Sequence, residues 1–132
     1  MPRSTRAPAP HRYAKLAHPP LFHALPRERL FARIEELRRH HAVIWITSPP
    51  GAGKTTLVAS YLFAAKAPSV WYQVDEGDAD PASFFFYLGE AVRQSGPPLP
   101  WLAPELADDA PRFARLFFRE FYVRLGPRGV VV

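Results

Sequence analysis

Residues 46–56 combine glycines, a lysine and threonines at a spacing that could bind phosphate groups. They read Ile-Thr-Ser-Pro-Pro-Gly-Ala-Gly-Lys-Thr-Thr, close to the phosphate-binding pattern G-x-x-x-x-G-K-[ST]. Ser48 stands where that pattern has its first glycine, and serine fits there if the position does not need a positive φ. Backbone N–H groups in such a loop surround phosphate oxygens, and the positive end of the following helix attracts them. The run therefore predicts nucleotide binding.

Each position of the loop has a distinct expected role. Gly51 and Gly53 allow a positive φ and a close approach of the backbone to the ligand. Lys54 would reach the β- and γ-phosphates of ATP, and the Thr55 hydroxyl would bind Mg²⁺. Thr56 would donate its N–H, with its hydroxyl as a second donor, to the α-phosphate. The predicted nucleotide-binding residues of the loop are Gly51, Ala52, Gly53, Lys54, Thr55 and Thr56.

The elements around this loop follow from hydrophobic periodicity and from turn residues. Strands are predicted where β-branched and aromatic residues cluster, at 42–47, 69–74 and 129–132. Helices are predicted at 26–41, 54–66, 81–94 and 111–125, with Pro81 after the cap Asp80 and a stop at Gly126. This alternation predicts an α/β P-loop NTPase fold, a parallel sheet with flanking helices. With about three strands and four helices, the fold is expected to be incomplete.

The helices carry apolar stripes that indicate which faces are buried. The predicted buried residues are Leu30, Phe31, Ile34 and Leu37 in the first helix, Phe84, Tyr87, Leu88 and Ala91 in the third, and Phe113, Leu116, Phe117 and Phe121 in the fourth.

Composition excludes several other classes of protein. The 132 residues include no cysteine, which excludes a disulfide framework, and they show neither a secretion signal nor an apolar run long enough for a membrane span. We expect a cytoplasmic protein without a membrane partner. The net charge of +5 comes from residues 1–41. Residues 1–20 hold five prolines and few aromatics, so they are interpreted as an irregular, solvated Pro/Arg-rich arm rather than as a nucleic-acid-binding tail.

The end of the chain resembles the beginning of a further strand. In P-loop folds a later apolar strand ends in a carboxylate that holds Mg²⁺. We interpret residues 130–132 as the first half of such a Walker B strand, cut before its acid, so that 21–132 form the N-terminal part of a P-loop NTPase domain without a catalytic residue. A naturally short gene product is the alternative. On the first interpretation, the 132 residues alone should bind nucleotide weakly and not turn it over.

Several blocks together resemble the N-terminal ATPase module of the MalT-like regulators, the large ATP-binding members of the LuxR group within the STAND class of P-loop NTPases. The resemblance covers about residues 15–132 and is strongest over 26–90. The blocks are Lys15-Leu16 with Pro19-Pro20, Pro26-Arg27-Glu28-Arg29-Leu30, residues 46–57, and Trp71-Tyr72-Gln73-Val74-Asp75-Glu76-Gly77-Asp78, which Pro81 through Leu88 continue.

The resemblance implies a signal-responsive, ATP-dependent transcriptional regulator. In that family ATP and an inducer favour an assembled, DNA-binding state, and slow hydrolysis resets it. It implies self-association of the full-length protein, and contact with DNA only through a C-terminal domain that these residues lack. It also implies that Arg27 approaches the adenine or the phosphates, although a solvated arginine at a helix start is an equal alternative.

Other functions remain open at this point. The loop would also suit another P-loop ATPase or a small-molecule kinase, and the chain could be a nucleotide-binding remnant without activity. Asp75, Glu76 and Asp78 could bind a metal, but a capped turn is the favoured interpretation.

Overall fold

The computed structural model describes residues 13–93 and 96–132, which form two compact units. The loop unit is His18–Pro68 and contains the phosphate-binding pattern. The sheet unit consists of Ser69–Val132 together with the described residues up to Ala17. Much of the predicted arm, residues 1–12, lies outside the described residues, as does Gln94 at the end of the third predicted helix.

The four predicted helices are confirmed. They are α1 (Glu28–His40), α2 (Lys54–Ala64), α3 (Pro81–Ala91) and α4 (Ala110–Leu125). The Asp80 carboxylate caps α3 by accepting hydrogen bonds from two backbone N–H groups, with Pro81 in the first helical position, as predicted. Gly126 follows α4 with a φ of 79°. Helix α1 begins two residues later than predicted, because Arg27 and not a residue before Pro26 is its N-cap.

The sheet unit contains a parallel pair of short strands. They are β1 (Ser69–Val70) and β2 (Val130–Val131), with Ser69 opposite Val130 and Val70 opposite Val131. Pairing continues past these bounds, because the Tyr72 N–H donates to the Val132 carbonyl at 2.7 Å. A parallel pair requires a long crossover connection, and the crossover here carries α3 and α4. The described residues therefore have a mixed, loosely α/β architecture with two strands rather than about three.

The strand predicted over 42–47 is wrong. The structure has no strand at these residues, and the side chains of Val43 and Trp45 are exposed, the latter by 86%. The prediction rested on β-propensity, which reflects how well a side chain packs on a paired and half-buried surface. A strand also needs a partner for its backbone hydrogen bonds, and propensity alone does not supply one.

The hydrophobic core of the sheet unit is aromatic. Three phenylalanines of α4, at positions 113, 117 and 121, are almost completely buried, and they pack with Phe85 of α3. The predicted burial of Leu116 is wrong, because its side chain is 43% exposed. Phe118 packs against the core instead. Positions spaced by four lie on one face of a helix, and 116 falls to one side of the row 113, 117 and 121.

Candidate functional site

The loop 48–54, which carries the phosphate-binding pattern, has the backbone conformation expected from its glycines. Gly51 has a φ of 78° and Gly53 a φ of 80°, in the region that other residues rarely adopt. Ser48 does not have a positive φ, which explains why serine fits where the pattern has glycine. The Ala52 N–H donates to the Pro49 carbonyl at 3.3 Å and closes the turn. A Cβ on Gly51 would meet no atom within 4 Å, so its surroundings are open.

Lys54 is the first residue of α2, and its side chain folds back over the loop. Its Nζ donates to the Ser48 carbonyl oxygen at 2.9 Å and to that of Pro49 at 3.5 Å. The ammonium thus lies on the concave side of the turn, where backbone carbonyls share it. A phosphate would be a stronger acceptor for the same ammonium, because both partners would then be charged.

The start of α2 supplies backbone donors beside that ammonium. The Leu57 N–H, which bonds to the Gly53 carbonyl at 2.8 Å, makes the first hydrogen bond of the α-helical ladder. The N–H groups of the preceding turn have no intrahelical acceptor, and they carry the positive end of the helix dipole. Thr55 and Thr56 lie in this turn and are exposed. The structure therefore brings the predicted loop residues, from Gly51 to Thr56, into one continuous surface.

Arg27 also lies at the loop. Its Nη1 donates to the Ala52 carbonyl at 3.5 Å and would lie 3.8 Å from a Cβ on Gly53. The pattern itself gives no reason to place this arginine there; that expectation came from the family resemblance. The guanidinium adds a second positive charge to the surface that Lys54 forms.

A polar network connects α1 to α2 within the loop unit. Arg38 Nη1 donates to the Tyr61 hydroxyl at 2.8 Å, and this hydroxyl donates to the Glu35 carboxylate. Burial and the bond to Glu35 raise the pKa of Tyr61, and the same bond lowers the pKa of Glu35 against the opposing effect of burial. Phe31 adds an edge-on ring contact to Tyr61 at 5.7 Å. The network fixes α2 against α1, and so fixes Lys54 relative to Arg27.

Sequence reasoning did not identify this network. Glu35 and Arg38 look like ordinary charged residues on the outer face of an amphipathic helix, and Tyr61 looks like part of an apolar stripe. The only available signal was a tyrosine at a buried helix position, since a buried hydroxyl needs a partner.

The acidic residues after β1 form a capped turn, as favoured from the sequence. The Asp75 carboxylate accepts from the Gly77 N–H at 2.9 Å, and the Asp78 carboxylate accepts from the Asp75 N–H at 2.8 Å. These bonds open the 3₁₀ helix Glu76–Ala79 with a reciprocal capping box. No group of three or more acidic or histidine side chains suited to a metal ion occurs over 13–93 and 96–132. The turn belongs to the sheet unit and the loop 48–54 to the loop unit.

No helix in the described part of the chain has the length and hydrophobicity needed to cross a membrane.

Comparison with known proteins finds relatives among transcriptional regulators. The chain is 41% identical over 83 residues to the HTH-type transcriptional regulator MalT of Cronobacter sakazakii, and 40% identical over 83 residues to MalT of two Klebsiella pneumoniae strains. Each match covers 62% of this chain but only 9% of the relative, so the chain spans about a tenth of the proteins it matches. No protein-family model matches the chain. No solved structure matches it. The resemblance to MalT-like regulators predicted from the sequence blocks is therefore confirmed.

Proposed function

We propose that the chain is an ATP-binding part of a signal-responsive transcriptional regulator, and that the loop 48–56 holds Mg·ATP. The observation that carries the proposal is the geometry of the loop. Two glycines with positive φ bend the backbone, Lys54 lies across the turn, and the donor-rich start of α2 follows at once. The similarity to MalT regulators supports the second half of the proposal, the regulatory role.

The residues present fit a magnesium-bound nucleoside triphosphate. The triphosphate would lie against the N–H groups of the loop and of the first turn of α2, with Lys54 at its β- and γ-phosphates. Thr55 would bind the Mg²⁺ ion, which when present screens the negative charge of the phosphates. Arg27 would add a positive charge at the rim of the loop. Self-association and DNA contact of the whole protein are further proposals, and the DNA contact would involve residues outside this chain.

The contacts of Lys54 within the loop lower the affinity expected for a phosphate. Lys54 donates to two backbone carbonyls, and it must leave them to reach a phosphate. The ligand therefore exchanges existing hydrogen bonds for new ones instead of adding to them, which reduces the net gain. We expect no steady turnover from the chain on its own. Steady phosphate release above that of a Lys54→Ala control would contradict this expectation.

The decisive experiment is calorimetric titration of Mg·ATP into the full-length protein and its variants. Lys54→Ala should reduce affinity by a factor of about 10 or more, because a charged hydrogen bond to phosphate is lost. Lys66→Ala is the matched control, since Lys66 is exposed and lies beyond the end of α2. Unchanged affinity in Lys54→Ala would refute the assignment of the phosphate-binding loop.

A further inference from the structure

The segment Tyr13–Ala17, here called the strap, is held against the sheet unit although it is about 60 residues away in sequence. Its Leu16 side chain is buried in the aromatic core. The Lys15 carbonyl accepts from the Gln73 N–H at 2.8 Å. The N–H of the preceding residue, Tyr72, donates instead to the carbonyl of Val132, which directly follows β2. Because successive N–H groups of an extended chain point in opposite directions, the strap lies along the edge away from β2.

The Lys15 ammonium lies in a site formed by two carboxylates and two tyrosine rings. Its Nζ lies 2.9 and 3.0 Å from the two oxygens of Asp78 and 2.9 Å from Asp75 Oδ2. It also lies 4.6 Å from the ring centroid of Tyr87 and 5.4 Å from that of Tyr72. We call these four residues the ammonium cage. Carboxylates and aromatic faces both attract a cation, so each wall of the cage favours the ammonium.

Asp78 is the central residue of the cage. Its side chain is 3% exposed, and that of Lys15 is 12% exposed. One carboxylate oxygen also accepts from the Tyr72 hydroxyl at 2.6 Å, and the other from the Asp75 N–H at 2.8 Å. The Asp78 carboxylate therefore accepts hydrogen bonds from the lysine of the strap, from a core tyrosine and from the backbone of the acidic turn. Gly77 permits this compact turn, because a Cβ there would lie 3.1 Å from Asp75 Oδ1.

Removal of the ammonium would leave two carboxylates facing one small volume. Asp78 would lose its counter-ion while remaining largely shielded from water, and Asp75 would add a like charge. The turn must then open, or the cage must take up another cation. The Asp75 and Gly77 N–H groups donate to these carboxylates, but neutral donors do not replace the positive charge of the ammonium.

We propose that the strap is an intramolecular ligand, and that Lys15 is a positioning residue that sets the conformation of the acidic turn 75–80 by filling a cage selective for a primary alkylammonium ion. The cage and the strap both belong to the sheet unit. The proposal therefore does not depend on nucleotide binding by the loop unit. Displacement of the strap would expose an anionic, tyrosine-lined site together with the core surface that Leu16 covers.

The main test compares Lys15→Met with wild type by amide NMR and thermal unfolding. Methionine keeps most of the apolar stem and removes the charge. We expect large shifts of the Asp75, Gly77 and Asp78 amide signals and a thermal midpoint lower by about 4 °C or more. Lys66→Met, a change at an exposed lysine, should leave both unchanged. Turn amides that stay at their wild-type positions in Lys15→Met would overturn the proposal.

Chemical rescue separates positioning by charge from simple packing. Ethylammonium added to Lys15→Ala, a truncation that leaves room for an added alkyl chain, should return the turn amides toward their wild-type positions in a saturable manner, whereas NaCl at equal ionic strength should not. Tetramethylammonium, which cannot donate a hydrogen bond, should rescue less well. Equal responses to all three salts would refute a cage for primary ammonium ions. Lys15→Arg, which keeps a cationic donor, should lie closer to wild type than Lys15→Met.

A measurement on the wild-type protein decides the matter if Lys15→Met does not fold. The chain has three lysines, at positions 15, 54 and 66. Reductive methylation followed by peptide mass spectrometry should modify Lys15 at least tenfold more slowly than Lys66, because the caged ammonium is enclosed and kept protonated. Equal rates at the two residues would show that the strap does not hold its lysine in the cage, and would overturn the proposal.

Discussion

Truncation of Phe117 should be the most damaging single change in the sheet unit. Its side chain is 0% exposed, and its ring lies 4.9 Å from that of Phe85, 5.5 Å from Phe118 and 6.0 Å from Phe121, centroid to centroid. Removing a buried phenylalanine costs about 3–5 kcal/mol from lost transfer free energy and from the cavity left behind. The ring contacts place Phe117→Ala near the middle of that range, at about 4 kcal/mol.

The neighbouring residue gives a matched control on the same helix turn. Leu116 is 43% exposed, so about half of its transfer free energy is already absent, and alanine is at least as good a helix former. Leu116→Ala should therefore cost less than about 1 kcal/mol. Phe117→Leu, which keeps much of the volume, should cost about 1–2 kcal/mol and remains measurable if the alanine variant does not fold.

Urea denaturation followed by circular dichroism measures these differences. With a slope of about 2 kcal/mol per molar urea, Phe117→Ala should lower the midpoint by about 2 M and Leu116→Ala by less than about 0.5 M. Similar midpoints for the two alanine variants would refute the assignment of the buried face of α4. A larger loss in Leu116→Ala than in Phe117→Ala would show that Leu116 is buried, as the sequence predicted.

Three further predictions concern the loop and the cage. Gly51→Ala should destabilise the chain by about 1 kcal/mol in urea, because its φ is positive while space for a Cβ is open; an unchanged midpoint would contradict this. Arg27→Ala should weaken Mg·ATP binding about fivefold in calorimetry, whereas Arg29→Ala, on the exposed start of α1, should not. Burial opposes both shifts in the cage, but hydrogen bonding prevails, so the pKa of Asp78 is lowered and that of Lys15 is raised. Asp78 therefore stabilises the fold above its unfolded pKa near 3.8, and this stabilisation is lost as the pH falls through the lower folded pKa. Lys15 stabilises the fold below its unfolded pKa of 10.5, and this stabilisation is lost as the pH rises through the higher folded pKa. Urea midpoints measured from pH 3 to 11 should fall at both extremes in wild type and fall less in Lys15→Met. Equal pH dependence in the two proteins would contradict a stabilising Lys15–Asp78 ion pair.

Features fixed by neighbouring residues were predictable from the sequence. The cap at Asp80, the following proline and the stop at Gly126 act within one helical turn, so the helices were placed to within a few residues. The loop glycines were also predictable, because a positive φ is a local property. The choice between Leu116 and Phe118 was not, since both flank the same helical row and only contacts with other elements select one.

Features that depend on distant partners escaped prediction. Residues 42–47 have the composition of a strand, but a strand also needs a neighbour with which to exchange backbone hydrogen bonds. The contact of Lys15 with Asp78 spans 63 residues, and no local sequence pattern predicts it. Within the candidate site, the loop residues were identified from their types and spacing. The polar network at Tyr61 was not, because its partners lie on another helix.

The strap also constrains the order in which the polypeptide becomes structured. The sheet unit is discontinuous in sequence, because His18–Pro68 separates the strap from β1. Strand β1 can pair only after β2, about 60 residues later, has been synthesised. Closing such long loops lowers the entropy of the chain before stabilising contacts can compensate, so the sheet unit should form late and slowly. The loop unit needs only contacts within His18–Pro68 and can become compact while the ribosome is still adding α3 and α4. During that interval the Leu16 side chain has no core to enter and remains exposed to water.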